Sequence, residues 1–480
     1  MSETVTLSLI SHTNVGKTTL ARTLLRRDIG EIADQAHVTE TAEAYSLIET
    51  PDARLMLWDT PGFGDTRRLV DRLRREGEPL GWLLHQVWDR ITDRPLYCSQ
   101  RAVRNVKEEA DVVLYLVNAA EDPEHAGYVS LELEILTWME RPVLLLLNQV
   151  GEEAENAAAR WRSFAESRPI VRGVLPLDAF SRSWIEEETL LNTVAALLGG
   201  AKQEAMHRLT EAWTERNTRI FHTSSRRMAG YVARTAVDRA EQKSRLDTPG
   251  AMKVVSDLAR AIKGGAVPGK AARSALNERL DRATQELMQE LIADHDLLGG
   301  SAMKIEQRVQ NYQLKGRLAF DGSSGAVAGA VVSGALGGLA ADALSGGLTL
   351  GGGLIAGGIL GALGGSALAK GYRLVAGEQQ PYVRWTDEFL DSLCNQVSLR
   401  YLAVAHHGRG QGRYKDLEQP AHWGDAVAEA LAPRRDRLHA LWTLGEKNGP
   451  DARVRIESDL DSIFRESIRR VLTREGGHSA

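Results

Sequence analysis

Gly16, Lys17 and Thr18 have the types and the adjacency that phosphate chemistry requires. The glycine lets a backbone approach an anion, the lysine brings charge to its oxygens, and the threonine hydroxyl can hold Mg2+. They close the stretch Ser11-His12-Thr13-Asn14-Val15-Gly16-Lys17-Thr18. It matches the phosphate-loop pattern G-x-x-x-x-G-K-[ST] with one departure, Ser11 in place of the first glycine. Serine can take that turn if its φ is negative. A second group follows further along, Asp59-Thr60-Pro61-Gly62. An Asp at a strand end can orient the water shell of Mg2+, and the Gly62 N–H can meet a γ-phosphate. Two such groups, each at the end of a strand, are far less expected by chance than one.

Elements must place these groups. Val5 to Ile10 reads as a strand before the loop, and Thr19 to Arg27 as a helix after it, so the helix N-terminus faces the phosphates. Tyr45–Ile48 and Arg54–Trp58 read as paired strands, the second ending at Asp59. The apolar runs Val112–Val117 and Pro142–Leu147 read as buried parallel strands, with a helix over Leu131–Met139 between them. Ile170–Leu175 is the last strand candidate, followed by Leu177-Asp178-Ala179. Alternating strand and helix predict a doubly wound, mostly parallel α/β sheet with its ligand at the strands' carboxyl ends.

Asn14-Val15-Gly16-Lys17-Thr18 together with Asp59-Thr60-Pro61-Gly62 resembles the Era/TrmE-like branch of translation-factor-class P-loop GTPases, over roughly residues 1–200. The whole chain resembles bacterial GTPases with an uncharacterised, mostly helical C-terminal domain. The resemblance implies GTP/GDP as ligand and Mg2+ as cofactor, with Thr18, Thr39 and Asp59 as metal ligands and Thr41 as a weaker alternative to Thr39. It makes Asn14, Lys17, Thr39 and Gly62 the catalytic candidates. The candidate nucleotide contacts are Asn14, Val15, Gly16, Lys17, Thr18, Thr19, Asn148, Gln149, Asp178 and Ala179, with Asn148 on the guanine base.

Two departures from that family bear on specificity and rate. The base-reading pattern Asn-Lys-x-Asp is here Asn148-Gln149-Val150-Gly151, without the Asp that accepts the guanine N1 and N2 hydrogens. Either Glu152 or Glu153 substitutes, or base specificity is relaxed. After Gly62, where Ras-like enzymes carry a water-orienting Gln, stands Phe63, which cannot hydrogen-bond water. The Era/TrmE-like group shares such a hydrophobic residue, and some members use K+ held partly by the loop Asn. Asn14 is placed for that, or only to brace the loop. Hydrolysis is expected to be slow alone and to rise with K+ or on dimerisation. Between Gly62 and Asp111 the chain is longer than a minimal connection, with charged Arg67–Glu78 and then Trp82, Leu83, Leu84, Val87 and Trp88 at helical spacing. This insert, at about 64–110, is either a helical pair on the sheet edge or a switch-coupled partner surface.

The chain has 480 residues, 43% of them apolar and 26% charged, with net charge −5 and pI about 6.2. That balance carries no global nucleic-acid signature, so nucleic acid is an unlikely partner on charge alone. Two cysteines, Cys98 and Cys394, exclude a disulfide framework and match a reducing compartment. No Cys/His cluster has metal-ligand spacing, and His406-His407 reads as a solvated pair. The start of the chain does not read as a signal peptide.

From about Gly200 strand signals vanish, which predicts an all-α domain over 201–480. Leu276, Leu280, Leu287 and Leu291 recur at helical spacing, as do Leu460, Ile463, Phe464, Ile468, Val471 and Leu472. Gly322 to Ala369 has one charged residue, Asp342. Small residues fall every fourth position there: Gly325, Gly329, Ser333 and Gly337, then Gly353, Gly357, Gly361 and Gly365. Such spacing lets helices approach closely. It predicts a glycine-rich helical hairpin over 322–371, flanked by Lys315, Arg317, Lys370 and Arg373. The hairpin either associates with a membrane or is buried in the C-terminal domain, or it switches between the two with nucleotide. The expected protein is cytoplasmic, at the inner face of the cell membrane if the hairpin docks there. Its other expected partners are a second copy or a protein effector.

Overall fold

The computed structural model describes residues 2–12, 15–26, 43–63, 66–74, 94–148, 154–177, 179, 183–241, 270–297, 372–375, 382–407 and 422–477. The sheet of the N-terminal part is built from β1 (Glu3–Ser11), β2 (Glu43–Glu49), β3 (Ala53–Asp59), β4 (Val112–Asn118), β5 (Val143–Asn148) and β6 (Val171–Pro176). Its strand order is β2-β3-β1-β4-β5-β6. All neighbours are parallel except β2, which runs antiparallel on the edge against β3. The β4 and β5 side chains are buried on both faces, as the apolar runs required. The strand order reverses direction at β1, so the crevice beyond the carboxyl ends of β1, β3 and β4 is the ligand position for such a sheet.

Helices cover both faces: α1 (Lys17–Leu25), α2 (Thr66–Leu73), α3 (Arg94–Glu109), α4 (Gly127–Met139), α5 (Ala154–Glu166) and α6 (Trp184–Leu197). Helix α6 starts on a Ser183 cap that accepts from the Glu186 N–H, with Glu186 and Glu187 in its first turn. On one face α2 to α5 enclose Leu69, Val103, Leu133 and Trp161 against β4 and β5. On the other, α1 and α6 enclose Leu20, Leu24, Leu190 and Val194 against β1 and β3.

The second face is completed by α7 (Gly200–Val237), a helix of 38 residues. At 1.5 Å per residue it is about 57 Å long. Ala205, Met206, Leu209 and Trp213, in its first half, belong to the core of the sheet. Phe221, Met228, Tyr231 and Val232, in its second half, belong to the helical core. One uninterrupted helix therefore enters both cores.

Around that second half pack α8 (Lys270–Asp294), α9 (Asp387–Ala405), α10 (His422–Leu431), α11 (Arg435–Asn448) and α12 (Arg453–Gly477). The four leucines of the first predicted stripe and the six residues of the second are all buried, on α8 and α12. Polar pairs set the helix register: Arg227 Nε to Asp294 at 2.7 Å, Tyr231 Oη to Thr284 Oγ1 at 2.8 Å, and Ser225 Oγ to Asp461 Oδ1 at 2.6 Å.

The C-terminal region is helical as expected. It also holds a small antiparallel sheet that the vanishing strand signals had not announced. It comprises β7 (Arg239–Glu241), β8 (Tyr372–Val375) and β9 (Tyr382–Trp385), in the order β7-β9-β8. Strands of three and four residues are too short for alternation to register. The solvated reading of His406-His407 is corrected, since both rings are buried. The end of α9 packs against α10, which sets the His406 ring 4.8 Å from Trp423. The glycine-rich segment 322–371 and the apolar residues 82–88 of the insert lie outside the described residues. Among the described residues, no helix is long and apolar enough to cross a membrane.

Candidate functional site

Strand β1 delivers Ser11 to the start of the loop. Among the described residues the non-glycine positions with positive φ are Arg26, Glu140 and Asp296, so Ser11 meets the condition set for replacing glycine. Its Oγ donates to the His12 carbonyl at 2.6 Å. The loop closes on Gly16, whose φ of 99° is left-handed. A Cβ on Gly16 would lie 2.8 Å from Asn148 Nδ2. Glycine is thus required twice at this position, for backbone angle and for space. Helix α1 begins at Lys17 with no side-chain cap from Gly16, so the positive end of its dipole stands beside the loop.

Asp59 ends β3 opposite Lys17, because β1 and β3 are parallel neighbours in register, Leu9 beside Asp59. Lys17 Nζ meets Asp59 Oδ1 at 3.0 Å, and Thr18 Oγ1 donates to Oδ2 at 2.8 Å. Lys17 and Asp59 are both buried. A hydroxyl from the first turn of α1 and a carboxylate from the end of β3 are converging hard oxygen donors, and Mg2+ takes few protein ligands beside phosphate. The residues present therefore fit Mg2+ with a nucleotide. The turn after Asp59 is stitched to the loop. Thr60 Oγ1 donates to the Leu9 carbonyl at 2.7 Å, and the Phe63 N–H donates to the Ser11 carbonyl at 3.0 Å. Gly62 is buried between them, and Phe63 is fully buried in the core, with no face toward a water.

Asn148 ends β5 and is fully buried. Its Nδ2 donates to the Val15 carbonyl at 2.7 Å, and its Oδ1 accepts the Ala179 N–H at 2.9 Å. Thr23 Oγ1 of α1 donates to the Ala179 carbonyl at 2.7 Å. The residue expected on the base thus latches the phosphate loop to the segment after β6. The fold brings Val15, Gly16, Lys17, Thr18, Thr19, Asp59, Gly62, Asn148 and Ala179 to one end of the sheet. Asn14, Thr39, Thr41, Gln149, Gly151, Glu152, Glu153 and Asp178 lie outside the described residues.

One group escaped the sequence reading. Glu132 on α4 is fully buried. Its Oε1 meets His12 Nδ1 at 2.6 Å and accepts from Thr66 Oγ1 at 2.9 Å, while Oε2 accepts from Tyr115 Oη at 2.8 Å. The His12 ring lies 4.3 Å from Tyr128. Burial pulls the His12 imidazole down, but the Glu132 bond and charge outweigh it, so His12 titrates above its ordinary value. Burial holds Glu132 above the usual carboxylate range. Burial also raises the Tyr115 hydroxyl well above its usual value, which keeps it a donor. Helical phase carried a signal: Val129, Glu132, Leu133, Leu136 and Met139 share the buried side of α4, so a carboxylate stood where an apolar residue was due.

A family model described as 50S ribosome-binding GTPase matches residues 6–149. One described as a domain of unknown function (DUF3482) matches residues 305–465. GTPase Era of Geotalea uraniireducens is 26% identical over 181 residues, which are 38% of this chain and 51% of that protein. The chain thus spans about half the length of the curated relative it matches. Among solved structures, Era in complex with MgGDPNP and a segment of 16S ribosomal RNA is 18% identical, covering 42% of this chain and 59% of that one at a TM-score of 0.32. An Aquifex aeolicus Era variant bound to GDP and AlF4- gives the same TM-score of 0.32 at 18% identity, covering 42% and 58%. Residues 6–149, which match the GTPase model, hold the buried Lys17–Asp59–Thr18 cradle at the switch point of the sheet, and residues 305–465 match the domain of unknown function.

Proposed function

We propose that the protein is a GTPase switch: it binds GTP with Mg2+, hydrolyses it slowly, and passes its nucleotide state along α7 to the helical region. The observation that carries this is Asp59 receiving Lys17 and Thr18 together, at 3.0 and 2.8 Å. Lys17 is poised to exchange Asp59 for the β- and γ-phosphate oxygens. The first-turn N–H groups of α1 and the Gly62 N–H neutralise the transferring group, so catalysis is positioning and electrostatics rather than covalent chemistry. Bound Mg2+ would be held by Thr18, Asp59 and Thr39 and would neutralise phosphate charge. Phe63 turns into the core and orients no water, which supports a low intrinsic rate. Asn14 is the candidate K+ ligand, and a second copy or a protein effector the candidate activator. With Asn148 committed to Val15 and Ala179, guanine recognition falls mainly to residues beyond β5.

Titration calorimetry with GTP, GDP and ATP in Mg2+ tests the reading. Micromolar or tighter binding of guanine nucleotides is expected. Absence of heat with every purine nucleotide overturns it. Phosphate release in matched Na+ and K+ then tests the cation, and identical rates remove it. The buried Phe63 also favours a second reading, a nucleotide-binding scaffold with little turnover that acts through protein partners. Binding without release of phosphate at any protein concentration selects it.

Membrane association through 322–371 is proposed from sequence alone. Flotation with anionic vesicles in GTP, GDP and no nucleotide tests it. The expectation from charge that nucleic acid is an unlikely partner loses its support beside a family described as ribosome-binding. RNA binding with a steep salt slope would make it a partner.

A further inference from the structure

Four elements meet at the Glu132 carboxylate, and two of them carry the phosphate chemistry. His12 is the second residue of the phosphate loop. Thr66 is the first residue of α2, which follows the Asp59–Gly62 turn. The other two are fixed parts of the core: Tyr115 in the middle of β4 and Glu132 itself on the buried side of α4. His12 and Phe63 also form a parallel bridge, and the Phe63 N–H reaches Ser11. The loop and the turn are therefore held together by backbone, and the Glu132 carboxylate ties His12 and Thr66 to α4 and, through Tyr115, to β4.

A buried carboxylate is a costly way to fill a core position, and an apolar residue of similar volume is often neutral or better. Its three bonds set the orientation of a loop and of a helix start, and apolar packing would not fix either. We propose that Glu132 is a positioning residue for phosphoryl transfer: through His12 and Thr66 it sets the Gly62–Phe63 backbone relative to the phosphate loop. The inference rests on the GTPase reading. Glu132 touches no phosphate group and acts only by where it holds the segments that do. Placement of the Gly62 N–H matters in the transition state more than in the bound ground state, so Glu132 governs turnover and leaves affinity nearly untouched.

The test separates placement from stability. Thr66→Val keeps the shape of the side chain and removes the bond to Oε1. Thr66→Ser restores the hydroxyl. Glu132→Gln keeps the volume and removes the charge. Phosphate release is measured at saturating GTP, well below each variant's melting temperature, with GTP and GDP affinities measured alongside. Thr66→Val and Glu132→Gln are expected to lower kcat about 10- to 100-fold, with KM and nucleotide affinity within about 3-fold of the parent. Thr66→Ser is expected to recover most of kcat. The double variant Thr66→Val/Glu132→Gln should lose less than the product of the two single losses, because the Thr66 bond runs to the carboxylate that Glu132→Gln alters. If Glu132→Gln does not fold, the Thr66→Val and Thr66→Ser pair decides. A parent enzyme that turns over beside a Thr66→Val variant of equal kcat overturns this inference alone. So does a variant with lowered melting temperature and unchanged kcat. A parent protein that binds no nucleotide overturns the GTPase reading, and this inference with it.

Discussion

At the scale of single residues, the site depends on positions where one side chain, or its absence, serves two constraints. Gly16 is the sharpest. Its φ of 99° disfavours any L side chain, and a Cβ would press on Asn148 at 2.8 Å. Gly16→Ala should therefore cost about 2–3 kcal/mol of stability, from backbone strain and the displaced amide together. It should also lower nucleotide affinity more than about 100-fold, since a charge-assisted phosphate contact is worth some kcal/mol. Chemical denaturation and titration calorimetry check the two numbers. Retained affinity would show that the loop tolerates the shift.

At the scale of elements, the helices carry polar groups whose surroundings predict measurable effects. Trp213 sits where α7 passes from one core to the other. It is nearly fully buried, its Nε1 donates to Glu187 Oε2 at 3.0 Å, and Arg216 lies 4.2 Å over its ring. Trp213→Ala should cost about 3–5 kcal/mol, from the cavity and from the lost Nε1 bond to the buried Glu187 carboxylate. It should also split thermal unfolding into two steps in calorimetry, because the shared helix no longer couples the cores. A single, unshifted transition would count against α7 as the link.

Asp281 on α8 gives a pH-dependent case. Burial, with Glu278 nearby, pushes its carboxyl up to about 6. The folded value exceeds the unfolded one, so the native state favours the neutral acid. That contribution is full below the ordinary carboxylate range and is lost as pH rises through about 6. Asp281→Asn should therefore gain about 1 kcal/mol at pH 7.5, discounted for partial exposure. The gain should vanish near pH 4. Urea denaturation at both pH values measures it, and a gain equal at both would refute the assigned cause.

At the scale of the whole molecule, α7 joins the sheet that carries the proposed nucleotide site to the helical region. The end of α1 reaches it through Arg26, whose guanidinium hydrogen-bonds Asn217. The edge strand β2 reaches it through the Leu47 carbonyl, which accepts from Arg216 at 3.5 Å. Helix α1 follows the phosphate loop, and β2 follows the stretch that contains Thr39, the proposed Mg2+ ligand. Exchange of GDP for a non-hydrolysable GTP analogue should therefore alter hydrogen-exchange protection in α7 beyond Asn217, as well as at Lys17–Leu24. Protection changes confined to the first 180 residues would leave the helical region uncoupled.

The linear order of residues carried the mostly parallel sheet of the N-terminal part and the helix after its phosphate loop. Local rules govern it: apolar runs long enough to be buried strands, a glycine followed by Lys-Thr, an Asp where a strand must end. Those signals are contiguous, so Lys17, Thr18 and Asp59, and the strands and helix that flank them, could be expected before any coordinates. The long-range placements could not. That Asn148 braces Val15 and Ala179, that the His406 and His407 rings are buried, and that three short strands pair within a helical region all depend on segments far apart in the chain. Glu132 lies between the two cases. Its helical phase marked it as buried, but the meaning of a buried carboxylate comes from its partners His12, Thr66 and Tyr115. Hydrogen bonds across 120, 66 and 17 residues are made by packing, and only the folded chain decides which groups they join.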